Sequence, residues 1–112
     1  MIIGRGAGII LTDNKGRILL QHRDNDAPRY PGRWGLFGGQ LEKDETPEQA
    51  VRRETKEEIG IELTDLKFFK KYKLQREKGI FEAFFFVAPI TVSVLNGNDN
   101  VRVEGNRNVR VR

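Results

Sequence analysis

The 112-residue sequence contains no cysteine, one histidine, one tryptophan and one methionine. Without cysteine the chain has neither a disulfide framework nor a thiolate metal site. No apolar run approaches the roughly 18 residues of a membrane span. The N-terminus also lacks a charged leader followed by a small-residue cleavage site, so no signal peptide is expected. We therefore expect a cytoplasmic protein without a membrane partner.

The composition that is present favours one folded domain spanning residues 1–112. Hydrophobic residues make up 38% and include seven phenylalanines, while charged residues make up 32%. Of the net charge of +4, residues 101–112 carry +3, from four arginines and one glutamate, so the rest of the chain is nearly balanced. The excess lies in an atypical basic tail, 95–112, where a hairpin of 101–103 and 109–111 is predicted. A nucleic-acid partner is therefore not expected.

Apolar, β-prone segments predict four strands before that tail. Residues 9–11 and 18–20 flank a turn at 13–16, and residues 66–75 and 80–90 form a long hairpin whose second strand is central. Between these pairs, residues 25–39 are rich in proline, glycine and aromatic side chains, which is typical of a binding loop.

Helix signals are confined to one segment. Thr46 followed by Pro47, with Gln49 as the capping-box partner, predicts an N-terminus. Gly60 predicts the C-terminal stop, which places the helix at 47–59.

Eight carboxylates lie between residues 42 and 62 of this region. On the predicted helix, Glu54, Glu57 and Glu58 share an arc of about 100° beside the apolar stripe. Such a face is commonly solvated and held by local salt bridges. Three mutually repelling glutamates also suit Mg²⁺, which prefers oxygen ligands. The residue pattern alone leaves both interpretations open.

The spacing of this stretch resembles the Nudix box, the signature of Nudix hydrolases, in eight of its nine specified positions. These are Gly39, Glu45, Arg53, Glu54, Glu57, Glu58, Gly60 and Ile61. The one departure is Thr55, which stands where the pattern has an apolar residue. The resemblance covers residues 5–95 approximately.

The resemblance implies an α/β fold, a Nudix-type α/β/α sandwich around a mixed sheet. Because residues 95–112 show no helical periodicity, the usual C-terminal helix is expected to be reduced or missing. By resemblance, Glu54, Glu57 and Glu58 are catalytic residues and ligands of Mg²⁺ or Mn²⁺, with the Gly38 carbonyl as a further ligand. Glu58, then Glu57, is the favoured general base.

The implied reaction is attack by water on phosphorus in a nucleoside diphosphate linked to another group, with a nucleoside triphosphate or nucleotide sugar favoured. Divalent cations neutralise such substrates and lower the pKa of a bound water. By the same resemblance, Glu45 and Arg53 form a structural ion pair. The alternative is a catalytically silent nucleotide-binding Nudix domain.

Outside the box, three residues are candidates for binding this small-molecule substrate. Arg23 ends the second strand and carries a guanidinium suited to phosphate, while Tyr30 and Trp34 offer rings for stacking a base. Glu82 and Glu104 are candidates for a further carboxylate. An uncovered sheet face or exposed edge favours pairing with a second chain, so a homodimer is predicted.

Overall fold

The computed structural model describes residues 1–13, 16–22, 25, 32–90, 100–103 and 107–111, with backbone only for residues 22, 100–103 and 107–111. Its elements follow in the order β1 (Ile2–Thr12), β2 (Ile18–His22), β3 (Trp34–Gly35), β4 (Phe37–Gln40), α1 (Pro47–Ile59), β5 (Lys67–Arg76), β6 (Gly79–Pro89), β7 (Asn100–Val103) and β8 (Arg107–Val111).

Strand β1 is the centre of a mixed sheet. One side of β1 pairs in parallel with β6 along nearly its whole length, from Ile2 opposite Ile80 to Thr12 opposite Pro89. Its other side pairs antiparallel with β4 and then with β2. The strand order is β5-β6-β1-β2-β8-β7, with β3 added beside β2 and β4 beside β1. The mixed sheet with a packed helix confirms the predicted fold class.

The bounds of α1 are the predicted ones because its sequence signals are local. The Thr46 hydroxyl accepts a hydrogen bond from the Gln49 backbone N–H at 3.1 Å, and the Gln49 side chain accepts one from the Thr46 N–H at 2.9 Å. Gly60 ends the helix in the left-handed conformation, and its N–H donates to the Lys56 carbonyl at 2.9 Å. Both ends therefore satisfy backbone groups that a helix leaves open.

The core lies between α1 and one face of the sheet. Its buried apolar residues come from four strands, from α1 and from the segment after it: Ala7, Ile9, Leu11, Leu19, Phe37, Ala50, Val51, Leu63, Phe86 and Ala88. Along β1 only the odd-numbered residues enter this core, since successive side chains of a strand point to opposite faces. In the described part of the chain, α1 is the sole helix. That helix covers a single face of the sheet.

The predicted long hairpin is confirmed to within one or two residues as β5 and β6, joined by a turn at 77–78. Strand β5 is an edge of the sheet and is exposed throughout. Its lysines discourage pairing with another chain's edge, whereas exposed Phe68, Phe69 and Tyr72 favour contact with one. Among the residues described, no helix is long and apolar enough to cross a membrane.

Two features of the strands differ from expectation. The loop predicted over residues 25–39 contains β3 and β4, and β1 runs well beyond the predicted residues 9–11. Strand β4 pairs with β1, and β3 pairs with β2. Both partners lie well before them along the chain. Strand formation here depends on these distant partners, which override weak local propensity at glycine-rich positions.

Candidate active site

Two of the three helix glutamates lie on the sheet side of α1. The buried residues of the helix are Ala50, Val51, Thr55 and Glu58, and Glu54 falls within the same arc. Glu58 is 5% exposed and the side chain of Glu54 is 20% exposed, whereas that of Glu57 is 60% exposed. The sequence placed all three at the edge of the buried face. In the structure only Glu57 is there.

Consecutive glycines in β4 make room for these carboxylates. A methyl group at Gly39 would lie 2.7 Å from Glu54 Oε1. The Gly38 N–H donates to Glu58 Oε1 at 3.3 Å. Gly38 has a φ of 141°, which side chains other than glycine rarely adopt, and a methyl group there would collide with the Ala7 carbonyl oxygen. The two glycines therefore let β4 pass close to the acidic face of α1.

Arg53 forms a bidentate ion pair with Glu45. Its Nε lies 2.7 Å from Glu45 Oε2, and its Nη2 lies 3.0 Å from Oε1. Both side chains are largely buried, at 22% and 11% exposure. The hydrogen bond from Arg53 lowers the pKa of Glu45, and the same bond raises the pKa of Arg53. Arg53 Nη2 also donates to the Gln40 carbonyl at 3.3 Å, so Arg53 ties the middle of α1 both to the loop before the helix and to the end of β4.

Arg53 also contacts the helix glutamates. Its Nη1 donates to Glu54 Oε1 at 2.8 Å and to Glu57 Oε2 at 3.3 Å. Glu58 instead accepts from Gly38, so within the described ranges no three acidic or histidine side chains converge on one point. Glu54, Glu57 and Glu58 are nevertheless oxygen donors of the kind that a hard divalent cation prefers, and the latter two lie three and four residues after the first, about one helical turn. Arg53 Nη1 supplies the positive charge between two of them.

Thr55, the departure from the box pattern, is accommodated inside the core. Its side chain is fully buried. Its hydroxyl donates to the Val51 carbonyl at 2.7 Å, one helical turn earlier. A polar residue is tolerated at this apolar position because its hydroxyl is satisfied within the helix.

Glu82, considered as an extra carboxylate for the site, is paired with two basic side chains of the neighbouring strands. Its Oε2 lies 2.7 Å from Lys71 Nζ and its Oε1 lies 2.8 Å from Arg5 Nε. Lys71, and then Arg5, lower the pKa of this buried carboxyl to about 2. These contacts give Glu82 the role of an ion-pair centre between β1, β5 and β6.

The predicted substrate residues are only partly within the described chain. Arg23, Tyr30 and the candidate carboxylate Glu104 lie outside the described residues. Trp34 is partly buried in β3, and it lies opposite His22 of β2 in the register of the sheet. Their substrate roles stay predictions.

A cleft of about 860 Å³ lies on the other face of the sheet, and sequence reasoning missed it. Phe81 and Phe85 of β6 line it, together with Gly38 and Gly39, which also border the carboxylates. Its sequence signal is glycine at every second position of β1, residues 4, 6 and 8. Alternate residues of a strand lie on the same face, so glycines at this spacing leave that face without side chains. From the sequence, the apolar run of β6 is predicted only as the central strand of a hairpin.

Comparison with known protein families gives one match over most of the chain. The model of the NUDIX domain matches residues 3–107. The sequence is 42% identical over 59 residues to a protein described as nucleoside triphosphatase NudI of Enterobacter sp., covering 51% of this chain and 42% of that protein. It is 33% identical over 89 residues to an uncharacterized Nudix hydrolase of Listeria monocytogenes, covering 78% and 52%. The chain thus spans about half the length of the curated relatives that it matches.

Solved structures agree with this match. A MutT NUDIX hydrolase from Burkholderia pseudomallei superposes with a TM-score of 0.66 at 32% identity, covering 80% of this chain and 68% of that one. A MutT protein from Methanosarcina mazei Go1 superposes with a TM-score of 0.68, covering 79% and 64%. Its identity is 24%, so that likeness concerns the fold alone.

Proposed function

Because the chain belongs to the Nudix family, we propose that it is a pyrophosphohydrolase that cleaves a diphosphate linkage in a nucleoside diphosphate derivative. One observation carries the proposal. α1 turns Glu54 and Glu58 toward the sheet, opposite a pair of glycines whose lack of side chains lets β4 pass close beside their carboxylates. Glu54 keeps a hydrogen bond from Arg53 and Glu58 one from Gly38, and together with Glu57 they present the oxygen donors that a divalent cation prefers.

Nudix hydrolases generally use divalent metal ions. We assign this role to Mg²⁺ or Mn²⁺ held by Glu54, Glu57 and Glu58, with the Gly38 carbonyl as a further ligand. When bound, the cation supplies charge neutralisation for the diphosphate and acidifies a coordinated water. Glu45 holds Arg53 in place, and Arg53 directly precedes Glu54 in the helix. The proposed role of the Arg53–Glu45 pair is therefore structural.

For the proton transfer, Glu58 is the favoured general base and Glu57 the second choice. Water attacks phosphorus, the bond to the bridging oxygen breaks, and the carboxylate takes the proton from the attacking water. Glu58 is oriented by the Gly38 N–H and shielded from bulk solvent, whereas Glu57 is open to it.

A nucleoside triphosphate is the favoured substrate, and a nucleotide sugar the alternative. The relative from Enterobacter is described as a nucleoside triphosphatase, and its matched segment covers half of this chain. Arg23 and Tyr30 remain proposed binding residues for the phosphates and the base, as does Trp34.

A catalytically silent nucleotide-binding domain is the second candidate. The contacts of Arg53 favour it. Arg53 donates hydrogen bonds to Glu54 and Glu57, and so satisfies these carboxylates without a cation. A silent domain binds nucleotide with the same affinity whether Mg²⁺ is present or removed by a chelator.

The deciding experiment measures phosphate and pyrophosphate release from a panel of nucleoside triphosphates and nucleotide sugars with Mg²⁺. We expect turnover by the wild type, and losses of at least about tenfold in Glu57→Gln and Glu58→Gln. Glu48→Gln is the matched control, since Glu48 is on the same helix and also pairs with an arginine one turn away. Equal turnover by all three variants would overturn the site assignment, and metal-independent nucleotide binding without turnover would establish the silent domain.

We also propose a cytoplasmic homodimer. Its support is the β5 edge, where Phe68, Phe69, Tyr72 and Leu74 are between 39% and 59% exposed. Light scattering across a concentration series is expected to give twice the monomer mass. A constant monomer mass at high concentration would exclude the dimer.

A further inference from the structure

Positive charge is concentrated on strand β5, at one edge of the sheet. The segment 65–78, which contains β5, has six basic and two acidic side chains, a net charge of +4. Residues 1–100 carry only +1 in total, so the rest of that range carries −3. The expectation of no nucleic-acid partner follows from this net charge, which cancels because the acidic helix and the basic strand are separate elements. What an anion meets depends on where the charges lie.

Four of the five cations of β5 have no acidic partner within the described ranges. Lys71 is the exception, since its Nζ lies 2.7 Å from Glu82 Oε2. Arg5 shares that carboxylate, so this ion-pair centre still carries one positive charge. Every residue of β5 is exposed, including the four other cations, Lys67, Lys70, Lys73 and Arg76. A polyanion would therefore reach these charges without breaking an internal ion pair.

Exposed aromatic rings lie among the cations. In the part of the chain that the structure describes, the three exposed aromatic side chains all belong to β5. They are Phe68, Phe69 and Tyr72, at 57%, 59% and 42% exposure. Protection of an edge strand against aggregation explains lysines, but it does not explain these rings, because exposed apolar groups on an edge favour association. The combination of rings and cations indicates a binding surface.

The rings and cations form one continuous surface along the strand. The centroid of the Phe68 ring lies 5.6 Å from that of Phe86 in an edge-to-face contact, which holds the Phe68 ring against the sheet. Phe69 falls at a shift in the register of β5 and β6, where no residue of β6 lies opposite it. Lys70 follows, and its Nζ lies 5.1 Å from the centroid of the Tyr72 ring.

The shape of this surface suits a linear polyanion. β5 has ten residues and therefore extends about 33 Å. A single strand of nucleic acid has a charged backbone that can follow such a row, and its unpaired bases stack on aromatic rings whatever their sequence. A lipid surface would require the charges to be spread over a plane. An acidic peptide would match the lysines and has no bases for the rings.

We propose that β5 binds single-stranded nucleic acid, with Phe68 and Phe69 stacking its bases. The side chains that contact its phosphates are Lys67, Lys70 and Lys73. This inference goes beyond the proposed hydrolysis and is independent of it, because no glutamate of α1 takes part. Since the same edge supports the proposed homodimer, a bound strand and a second chain compete for β5.

The test is the fluorescence anisotropy of a labelled oligothymidylate of about 12 nucleotides, titrated with the intact chain in the presence of a chelator. The chelator removes divalent cations, so the readout is independent of turnover. We expect saturable binding whose log K falls with log salt concentration at a slope of about −2, the value for three phosphate contacts on a single strand. A duplex of the same length should bind at least about tenfold more weakly, because its bases are already stacked on one another.

Two ring variants test the stacking. Phe68→Leu and Phe69→Leu keep apolar bulk and remove the ring, and each should weaken binding about 5- to 150-fold. Neither change removes a charge, so the salt dependence should keep the slope of the wild type. Phe69→Tyr restores a ring and should return the affinity to that of the wild type. All three variants should keep the circular dichroism spectrum of the wild type.

Charge variants test the phosphate contacts. The double variant Lys67→Gln with Lys73→Gln should make the salt slope shallower by about 1.4. Its matched control is Lys43→Gln with Lys56→Gln, which removes the same charge from exposed positions outside β5 and should leave the slope unchanged. Equal slopes in the two double variants would show that net charge alone attracts the strand, and would overturn the site on β5.

Three other results would also overturn the proposal. The first is equal affinity for the single strand and the duplex, and the second is unchanged affinity in both leucine variants. The third is no binding of the oligonucleotide at all. In that case, binding to vesicles of phosphatidylcholine and phosphatidylserine would identify a lipid surface as the partner of β5. A stable dimer in light scattering, without binding to either, would leave the edge to a second chain.

Discussion

Replacing Arg53 by lysine keeps a positive charge in the middle of the acidic helix and removes the guanidinium fork. Lysine has one nitrogen, so it retains at most one of the two contacts with Glu45, at 2.7 and 3.0 Å. It also loses the bond to the Gln40 carbonyl. The change therefore tests geometry separately from charge.

The expected loss of stability follows from these contacts. A hydrogen bond between charged groups contributes about 1.5–3 kcal/mol, and one to a neutral carbonyl contributes about 0.5–1.5 kcal/mol. Arg53 is 22% exposed, which places both values at the low end of their ranges. The sum is about 2 kcal/mol, or a melting temperature lower by roughly 8 °C for a domain of this size.

Thermal unfolding followed by circular dichroism measures this loss. Arg52→Lys is the matched control, because Arg52 is the adjacent helix residue, is 45% exposed and binds Glu48 at the surface. Arg52 Nη1 also donates to the Leu63 carbonyl at 2.9 Å, so both lysine variants lose one bond to a carbonyl and differ in the carboxylate pair. Arg52→Lys should lower stability by roughly 0.5–1 kcal/mol, at most half of the loss expected for Arg53→Lys. A double-mutant cycle with Glu45→Gln should give a coupling of at least about 1 kcal/mol. Equal melting shifts for the two lysine variants, with no coupling, would refute the bidentate bracing.

Two further predictions concern the space beside the glutamates and the stability in acid. Gly39→Ala places a methyl group 2.7 Å from Glu54 Oε1, so the flexible carboxylate moves and hydrolysis falls at least about tenfold while the melting temperature stays near that of the wild type. Gly35→Ala, where a methyl group has no neighbour within 4 Å, is its control, and equal activity of the two variants would contradict the close approach. Glu82 has a pKa of about 2 in the folded protein, below its unfolded value, so the stability it contributes is present above about pH 4.5 and lost as the pH falls toward 2. Glu82→Gln should therefore flatten the acid limb of a stability–pH curve, and an unchanged limb would contradict the lowered pKa.

Local signals in the sequence predict both ends of α1 at the residues where the structure has them. Thr46, Pro47, Gln49 and Gly60 act within one helical turn, so the sequence alone places both ends. The spacing of the Nudix box also predicts an ion pair between Glu45 and Arg53. In the structure, Arg53 Nε lies 2.7 Å from Glu45 Oε2. These features depend only on residues near one another in the chain.

The cleft depends on distant partners and was not found from the sequence. Which face of β6 is covered is decided by where α1 packs, and this separates Phe86 in the core from Phe85 in the cleft. The contacts that Arg53 makes with Glu54 and Glu57, alongside its pair with Glu45, were also missed. The contact with Glu57 has the usual i, i+4 spacing of a helix, whereas the contact with the adjacent Glu54 depends on side-chain torsions.

The most direct test of the central claim is a titration of the intact chain with Mn²⁺, followed by electron paramagnetic resonance of the free ion. We predict saturable binding in the wild type and in Glu48→Gln, whose side chain is 57% exposed on the same helix. Glu57→Gln, whose side chain is 60% exposed, should weaken binding at least about tenfold. Equal Mn²⁺ affinity in the two variants, or no saturable binding by the wild type, would contradict a cation site on α1.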